Sequence, residues 1–286
     1  MIVPVLLAGG AGERLKPLST EEKPKPFLPL ISGSRKSMLQ ITVERVSDPG
    51  LFSPPVIIGH IAHHQLIKDH ISGVSLKEKH IILEPARKNT AAAICSCALH
   101  CMKLYGESTH ILFLPTDHWV NCPAKFKQDI EYTLLHLPTD SLSSFGIRPT
   151  RPETDYGYIV GGKELDPDER IRQISDFIEK PPINEANELY RRDNVLWNCG
   201  IFCGYIGAFL AHFKALHPEL LRICEKAVSK MTPASTLCMK NYSSIEPISF
   251  DKAIMERSGT GMVLETSFEW EDLGHPERVK QINDRV

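Results

Sequence analysis

The chain has 286 residues, 42% of them hydrophobic and 24% charged, which is enough to bury a sizeable core as one large α/β domain or two small ones. Its formal net charge of -2 provides no general attraction to nucleic acid or to an anionic membrane, so we expect neither partner. We expect one domain over residues 1–286.

Short apolar segments rich in β-branched residues alternate with segments of helical pattern through the first half of the chain. The sequence predicts strands at MIVPVLLA, PPVIIG, HIILEP and HILFLP, and helices at SMLQITVERV, IAHHQLIKDHI, TAAAICSCALHCMKLY and PAKFKQDIEYTLLHL. Repeated strand–helix units predict a mostly parallel sheet flanked by helices. Ligands of such sheets gather at the carboxyl ends of the strands.

After about residue 145 the pattern changes. SFGIRPT, YGYIVGG and IRQISDFIEKP resemble strands that need not continue the parallel order. No repeat, low-complexity tract or long linker marks a domain boundary. The opening apolar run, Ile2 to Ala8, lacks a basic leader and is far shorter than the roughly 18 residues that span a bilayer. We interpret it as a buried strand of a cytoplasmic protein.

The eight cysteines predict reduced, mostly buried thiols, because they lie in apolar segments rather than at the regular loop spacings of a disulfide framework. Cys95, Cys97 and Cys101 raise the alternative of a metal site, since thiolates bind zinc well. Small core residues on an alanine-rich helix are the favoured interpretation. The histidines at 60, 63 and 64 are likewise interpreted as a partly exposed helix start rather than as ligands.

Three glycines, Gly9, Gly10 and Gly12, directly follow the first predicted strand. They allow the backbone to turn tightly and to present amide N–H groups to a phosphate. The spacing is not GxGxxG, and no GK[ST] follows as a P-loop requires. A purely structural turn explains the glycines equally well when they are considered alone.

Two cations accompany this loop. Arg14 closes it, and Lys25 lies between Pro24 and Pro26, which are expected to hold the backbone extended. A guanidinium binds two oxygens at once and an ammonium acts as a point charge, so the pair suits a polyphosphate. Two solvated surface cations are the alternative interpretation.

Acidic and amide side chains follow other predicted strands. Asp117 in PTDH comes just past HILFLP, where a carboxylate can hold Mg²⁺, and Asp272 in WEDLG is a second acid near the end of the chain. Glu179 and Lys180 end a predicted strand. Asn198 lies in the apolar segment LWNCGIF, where a buried amide needs either backbone or ligand partners. Taken singly, each of the acids is also typical of a turn.

Together these segments resemble the sugar-phosphate nucleotidyltransferases, and within them the mannose-1-phosphate guanylyltransferases. GGAGERLKPLS followed by PKP is similar to the family's signature loop, and FIEKP, LWNCGIF and WEDLG recur in the family's order. EPARKNTAAAI, LPTDHWV and SFDKAIMER are similar to the EPxGRNTAPAI, LPxDHxI and SIDYAVME of the mannose branch. The resemblance covers nearly the whole chain.

The resemblance implies a Rossmann-like α/β fold with a mixed sheet, and the conversion of GTP and α-D-mannose 1-phosphate to GDP-mannose and pyrophosphate with Mg²⁺. It implies that Arg14 and Lys25 grip the triphosphate, that Lys180 holds the sugar phosphate, and that Asp117 and Asp272 bind the metal. The implied nucleotide ligands are Ala8, Gly9, Gly10, Gly12, Glu84, Asn89, Thr90 and Asp117, and the implied sugar ligands are Gly157, Glu179 and Asn198. A homodimer is also implied.

Several alternatives stay open at this stage. Arg87 stands where the branch has glycine, and Lys16 where it has tryptophan. These departures motivate a catalytically silent, nucleotide-sugar-binding regulatory subunit, or an enzyme for another base or sugar such as a glucose 1-phosphate uridylyl- or thymidylyltransferase. A dinucleotide dehydrogenase is disfavoured because GxGxxG is missing. The cupin-type isomerase domain of long relatives and the β-helical tail of shorter ones are expected to be absent from this chain.

Overall fold

The computed structural model describes residues 1–10, 12–72, 80–232 and 235–285, and every predicted strand and helix has a counterpart there. The strands are β1 (Ile2–Ala8), β2 (Val56–His60), β3 (His80–Glu84), β4 (His110–Pro115), β5 (His118–Val120), β6 (Leu142–Ile147), β7 (Gly157–Glu164), β8 (Ile171–Glu179), β9 (Val195–Tyr205), β10 (Met262–Glu265) and β11 (Trp270–Asp272). The α-helices are α1 (Met38–Arg45), α2 (His64–Ser72), α3 (Asn89–Tyr105), α4 (Pro123–His136), α5 (Ile183–Tyr190), α6 (Ile206–Leu216), α7 (Pro218–Ser229), α8 (Met239–Tyr242) and α9 (Pro276–Asn283). A π-helical turn spans Asp251–Met255. A 3-10 turn spans Lys25–Phe27, so Lys25 does not have the extended backbone that the prolines on either side of it predict.

Nine strands form one mixed sheet in the order β3-β2-β1-β4-β9-β6-β10-β8-β7. β1 pairs in parallel with β2 and β4, β2 with β3, and β6 with β10. Within the described part of the chain, only β8 and β9 run against the other strands of this sheet. The expected α/β fold with a mixed, mostly parallel sheet is therefore confirmed.

Both faces of the sheet are covered, which explains why its central strands read as continuous apolar runs. Successive side chains of β1 point to opposite faces. Val3 and Val5 join a core formed with α3, α6 and α7, whereas Ile2 and Leu6 join a core formed with α1, α2 and α4. No described helix combines the length and the apolar composition that crossing a bilayer requires.

The cysteine cluster of α3 belongs to the core, as expected. Cys95, Cys97 and Cys101 are fully buried, and all eight cysteines are free. Burial raises the pKa of the Cys101 thiol to about 12. A thiol that stays protonated near neutrality is a poor metal ligand, so the helix uses these residues for packing.

Neighbouring strand ends and one small ladder bring distant segments together. Gly9 follows β1, Glu84 ends β3, and Asp117 follows β4, so all three lie at the carboxyl edge of the parallel strands. β5 and β11 form a separate antiparallel pair in which Asp272 lies opposite His118. This ladder carries an acidic residue from the end of the chain to the edge of the sheet.

Candidate active site

A cluster of charged side chains lies beside the carboxyl ends of β1 and β4. Lys25 donates a hydrogen bond from Nζ to Oδ1 of Asp272, and the same Nζ lies 3.1 Å from Oδ2 of Asp117. The Nη1 of Arg14 lies 2.7 Å from Oδ2 of Asp155, and its Nη2 lies 3.5 Å from Oδ2 of Asp272. The four charged residues predicted to surround the triphosphate and metal therefore meet in one place, and Asp155 joins them.

The glycine loop makes this close packing feasible. Gly12 has a φ of +65°, which favours glycine, and a Cβ atom there would lie 2.9 Å from the Cβ of Lys25. Ser19 fixes the turn by donating from Oγ to the carbonyl oxygen of Gly12. The loop thereby packs against the base of the Lys25 side chain, and Lys25 is only 4% exposed.

His118 contributes a hydrogen-bond donor to the cluster. An indole N–H can only donate, and Nε1 of Trp270 lies 3.1 Å from Nδ1 of His118, so Nδ1 is the acceptor. The proton of neutral His118 is then on Nε2, which lies 3.7 Å from Asp117 Oδ1 and 3.8 Å from Asp272 Oδ1. Burial lowers the pKa of His118, although both carboxylates act to raise it. The imidazole therefore faces the carboxylates with an N–H group.

Mutual attraction keeps Lys25 and Asp272 ionised. Burial would lower the pKa of the Lys25 ammonium, but the Asp117 and Asp272 carboxylates outweigh it and hold that pKa above its ordinary value. Burial would also raise the pKa of Asp272, yet neighbouring cations, chiefly Lys25, bring it down to about 2. The carboxyl groups of Asp117, Asp155 and Asp272 face the cations Lys25 and Arg14, so acidic groups outnumber basic ones in these contacts.

The donor set fits a hard divalent cation. Asp117, His118 and Asp272 each offer a ligand atom within 4.8 Å of the other two. Because Trp270 makes Nε2 of His118 an N–H donor, the oxygens of the two aspartates are the available ligands. Mg²⁺ is commonly bound by one or two carboxylates together with phosphate oxygens, which matches this pair.

A cavity of about 420 Å³ opens beside the charged cluster. Asp117 belongs to the cluster and also lines the cavity. Of the implied nucleotide ligands, Gly9, Gly10, Glu84, Asn89, Thr90 and Asp117 line it. Ala8 instead ends β1, where it pairs with Gly59 and is buried. Further polar and charged residues on the wall are His60, His63, Arg87, Lys88 and Asp251. The cavity therefore runs along the sheet edge from the charged cluster to the ends of β2 and β3.

Glu84 is a buried acid at the far end of this cavity. Glu84 is 9% exposed, and Tyr242 donates a hydrogen bond from its hydroxyl to Oε1 of Glu84 at 2.5 Å. Burial raises the pKa of Glu84 to about 7, although the bond from Tyr242 acts to lower it. A carboxyl group with that pKa changes its charge within the physiological range.

We expect Glu84→Gln to stabilise the fold, increasingly so at higher pH. The pKa of Glu84 is about 7 in the folded protein and 4.5 ordinarily, so ionised Glu84 opposes folding above pH 4.5, and the penalty is complete above pH 7. Glutamine removes the charge and keeps an acceptor for Tyr242. Urea unfolding should show the variant's advantage growing by about 2 kcal/mol between pH 5 and pH 8.

The matched control is Glu246→Gln, which changes an exposed glutamate close to Tyr242 in the chain. Its free energy of unfolding relative to the wild type should stay constant over the same pH range. A constant difference for Glu84→Gln as well would contradict the burial of an ionisable carboxyl at position 84.

A second cavity of about 400 Å³ adjoins the first, and Asn89, Thr90 and Asp251 line both. The implied sugar-phosphate ligands Glu179 and Lys180 line the second cavity. The other residues on its wall are Pro247, Ile248, Ser249 and Lys252. Two connected cavities next to one charged cluster can hold a ligand with two polar parts.

Gly157 and Asn198, the other implied sugar ligands, lie directly behind Glu179. A Cβ atom at Gly157 would lie 2.8 Å from Oε2 of Glu179 and 3.4 Å from Cβ of Asn198, so glycine leaves room for both side chains. Lys180 donates from Nζ to Oε1 of Glu179 at 2.8 Å. The implied sugar ligands thus form one group, separate from the charged cluster at Lys25.

Some residues of the charged cluster and of the cavity wall have no ligand role in the interpretation of the sequence. His118 and Asp251 lie inside LPTDHWV and SFDKAIMER, two segments that resemble the mannose branch, and Asp155 lies two residues before the implied sugar ligand Gly157. These neighbours were the available signal. The sequence predicts that His60 and His63 belong to a partly exposed helix start. His63 is instead only 5% exposed, because its ring packs against Phe27 and its Nε2 contacts the carbonyl of residue 21.

A family model and a similar protein of known sequence assign the chain to the same family. The chain matches the nucleotidyl transferase family over residues 3–286. It is 34% identical to a mannose-1-phosphate guanylyltransferase of Escherichia coli over 279 residues, which make up 96% of this chain and 60% of that protein. The chain therefore spans less than two thirds of the length of this relative.

Solved structures agree on the architecture. A Thermus thermophilus protein described as a mannose-1-phosphate geranyltransferase superposes with a TM-score of 0.82 at 29% identity, over 96% of this chain and 76% of that one. A Helicobacter pylori protein described as a mannose-6-phosphate isomerase superposes with a TM-score of 0.79 at 25% identity, over 95% of this chain and 100% of that one.

Proposed function

This chain belongs to the nucleotidyl transferase family, and on that premise we propose that it converts GTP and α-D-mannose 1-phosphate to GDP-mannose and pyrophosphate. The observation that carries the proposal is the meeting of Arg14, Lys25, Asp117 and Asp272 beside the cavity at the sheet edge. The proposal treats residues 1–286 as one nucleotidyltransferase domain.

The proposed chemistry needs charge neutralisation and alignment. A phosphate oxygen of the sugar phosphate attacks the α-phosphorus of GTP, and the new O–P bond forms as the bond to the β-phosphate oxygen breaks. The electron pair of the broken bond leaves with pyrophosphate. Because the attacking oxygen is already anionic, no side-chain base is required. Catalysis then depends on holding the two substrates in line and on stabilising the departing negative charge.

Arg14 and Lys25 are suited to that stabilisation in different ways. Arg14 is about half exposed and contacts carboxylates at the mouth of the cluster, so its guanidinium can turn to a phosphate. Lys25 is buried and fixed between Asp117 and Asp272, so it acts as a positioned charge. Mg²⁺, when bound, would neutralise phosphate oxygens. Asp117 and Asp272 are the residues that would hold it.

The strand order supports the placement of the nucleoside. Asp117 follows β4 and Glu84 ends β3, three strand spacings away, a separation of about 14 Å. A nucleotide with its phosphates near β1 and β4 would bring its base towards Glu84 and Arg87. Guanine carries N–H donors that suit the carboxyl of Glu84, and O6 and N7 acceptors that suit the guanidinium of Arg87.

The second cavity supports the placement of the sugar phosphate. Lys180 supplies a cation there for the phosphate, and Glu179, Gly157 and Asn198 are proposed to surround the hexose. The cavities share Asn89 and Thr90, so a nucleotide in the first and a sugar phosphate in the second would approach each other at this wall.

A substrate panel tests the proposed function. The purified chain is incubated with Mg²⁺, each of four nucleoside triphosphates and a series of hexose 1-phosphates, and pyrophosphate release is measured. We expect GTP with mannose 1-phosphate to give the highest kcat/KM. The Arg14→Ala variant sets the background, and a wild-type rate no higher than that background would contradict the proposal.

Other outcomes of the substrate panel would identify an alternative function of the chain. A higher rate with another triphosphate or hexose 1-phosphate would indicate an enzyme of different specificity. Binding of GDP-mannose without turnover would indicate a silent regulatory subunit. Mannose 6-phosphate is included because the Helicobacter pylori relative is described as an isomerase, and its conversion without GTP would favour that activity.

A further inference from the structure

Asp251 occupies a distinctive position at the wall between the two cavities. It lines both of them and begins the π-helical turn Asp251–Met255. The preceding residue, Phe250, donates its backbone N–H to Oγ1 of Thr90 at 2.8 Å, which ties this turn to the start of α3. The Asp251 carboxyl is therefore held at the junction of the cavities by the fold.

Asn198 holds the Asp251 carboxyl in one orientation. Its Nδ2 donates to Oδ1 of Asp251 at 2.7 Å. Its Oδ1 accepts two hydrogen bonds, one from Oγ of Ser144 at 3.0 Å and one from the backbone N–H of Gly200 at 3.1 Å. Because two donors fix the amide oxygen, the amide nitrogen must face Asp251. The amide of Asn198 thus makes three hydrogen bonds to other protein groups.

Asp251 and Glu179 present two carboxyl groups to the second cavity. Burial raises the pKa of Asp251 to about 6, and the charge of Glu179 adds to the shift. Ionised carboxylates only accept hydrogen bonds, so this wall suits a ligand with O–H donors. A pyranose has several neighbouring hydroxyl groups, whereas a phosphate has only acceptor oxygens at neutral pH.

We propose that Asp251 is a specificity-determining residue for the sugar, accepting a hydrogen bond from one hydroxyl of the hexose 1-phosphate, and that Asn198 is its positioning residue. This inference rests on the proposed function. The hexose is favoured over the ribose because Asn198, the partner of Asp251, packs beside Gly157 next to Glu179, on the side of the second cavity.

Deoxy substrates test this assignment. Wild-type protein and Asp251→Asn are assayed with GTP and mannose 1-phosphate, and with the 2-, 3-, 4- and 6-deoxy analogues of that sugar phosphate. We expect one analogue to lower the wild-type kcat/KM by roughly 10- to 100-fold, the range of a hydrogen bond to a charged group. Asp251→Asn should lose a similar factor with mannose 1-phosphate and should no longer discriminate against that analogue.

Assays with deoxynucleotides distinguish whether Asp251 contacts the hexose or the ribose. Replacing GTP by 2′-deoxy- or 3′-deoxy-GTP should affect Asp251→Asn and the wild type by the same factor. The assignment is overturned if the variant keeps its discrimination among the sugar analogues, or if it loses discrimination between GTP and a deoxy-GTP instead. Asp140→Asn, which changes an exposed aspartate, is the matched control and should behave as wild type.

A second variant covers the case in which Asp251→Asn does not fold. Asn198→Ser removes the amide that orients Asp251 and leaves the carboxyl in place. We expect it to raise KM for mannose 1-phosphate about 10-fold while KM for GTP stays constant, because the lost hydrogen bond to Asp251 acts on the sugar side alone. It should also discriminate less against the same deoxy analogue as Asp251→Asn, which loss of a direct contact between Asn198 and another hydroxyl would not cause. An equal rise in both KM values would indicate a general structural role and would overturn the positioning assignment.

Binding distinguishes failure of this inference from failure of the proposed function. If the wild type releases no pyrophosphate, the proposed function fails, and calorimetric titration with GDP-mannose and GDP decides the role of Asp251. The sugar-bearing ligand should bind the wild type more tightly than GDP, and the Asp251→Asn or Asn198→Ser variant should reduce that difference. Equal affinity of the wild type for both ligands would overturn the assignment.

Discussion

We expect Asp272→Asn to lower the rate of pyrophosphate release by about 10³-fold at saturating substrates, because it removes one of the two carboxylates that are proposed to hold Mg²⁺. The pKa of Asp272 is about 2, so the residue is ionised wherever the protein is assayed. Asparagine keeps the shape and one acceptor oxygen but loses the charge. The Mg²⁺ concentration that gives half of the maximal rate should rise as well, and a metal titration of the initial rate measures both effects.

Glu269→Gln is the matched control for this change. Glu269 is an exposed carboxylate just before β11, three positions from Asp272. Its removal changes the net charge of the chain by the same amount, and the rate should stay within about twofold of the wild type, as for most surface changes. A similar Mg²⁺ requirement for Asp272→Asn and the wild type would contradict a metal role for Asp272.

The second large effect is expected for Lys25→Met, on stability as well as on activity. The ammonium of Lys25 contacts both Asp117 and Asp272 and is almost fully buried. Removing one partner of a buried ionic group leaves the remaining charges uncompensated, so we expect a loss of about 3 kcal/mol in the free energy of unfolding. The kcat/KM for pyrophosphate release should fall about 10³-fold. Urea unfolding without metal and initial rates with Mg²⁺ measure the two losses.

Mg²⁺ should partly compensate the stability loss of Lys25→Met. Without the ammonium, Asp117 and Asp272 face each other with less positive charge nearby, so a divalent cation should raise the Tm of the variant more than that of the wild type. Lys23→Met is the control, since it removes an exposed lysine two positions earlier, and its Tm and Mg²⁺ response should match the wild type. If Mg²⁺ raises the Tm of the wild type, Lys25→Met and Lys23→Met by the same amount, the result contradicts the binding of Mg²⁺ next to Lys25.

The alternating elements of the first half were predictable because their signals are local. β1, β2 and β4 are covered on both faces, so their residues are nearly all apolar, and the helices between them carry the spacing of one buried face. The β5–β11 ladder was not predicted. It has three residues in each strand, too few for a recognisable pattern, and it pairs segments separated by about 150 positions.

The sequence by itself determined the order of the main strands and helices and the residue types available at their ends. It also carried the segments that resemble one enzyme family, including Arg14, Lys25, Asp117 and Asp272. Each of these charged residues, considered alone, is also typical of a turn or a solvated surface. Their types and their order along the chain specify chemistry, but they do not specify distance.

Only the tertiary structure decided which of these side chains touch. Pairing of β11 with β5 places Asp272 opposite His118, and the glycine turn brings Lys25 between the two aspartates. The same folding places Asp251 beside Asn198, although nothing in the sequence links the two residues. The physical reason is that ion pairs and hydrogen bonds act over a few ångströms, so they depend on long-range strand pairing and packing that no local pattern records.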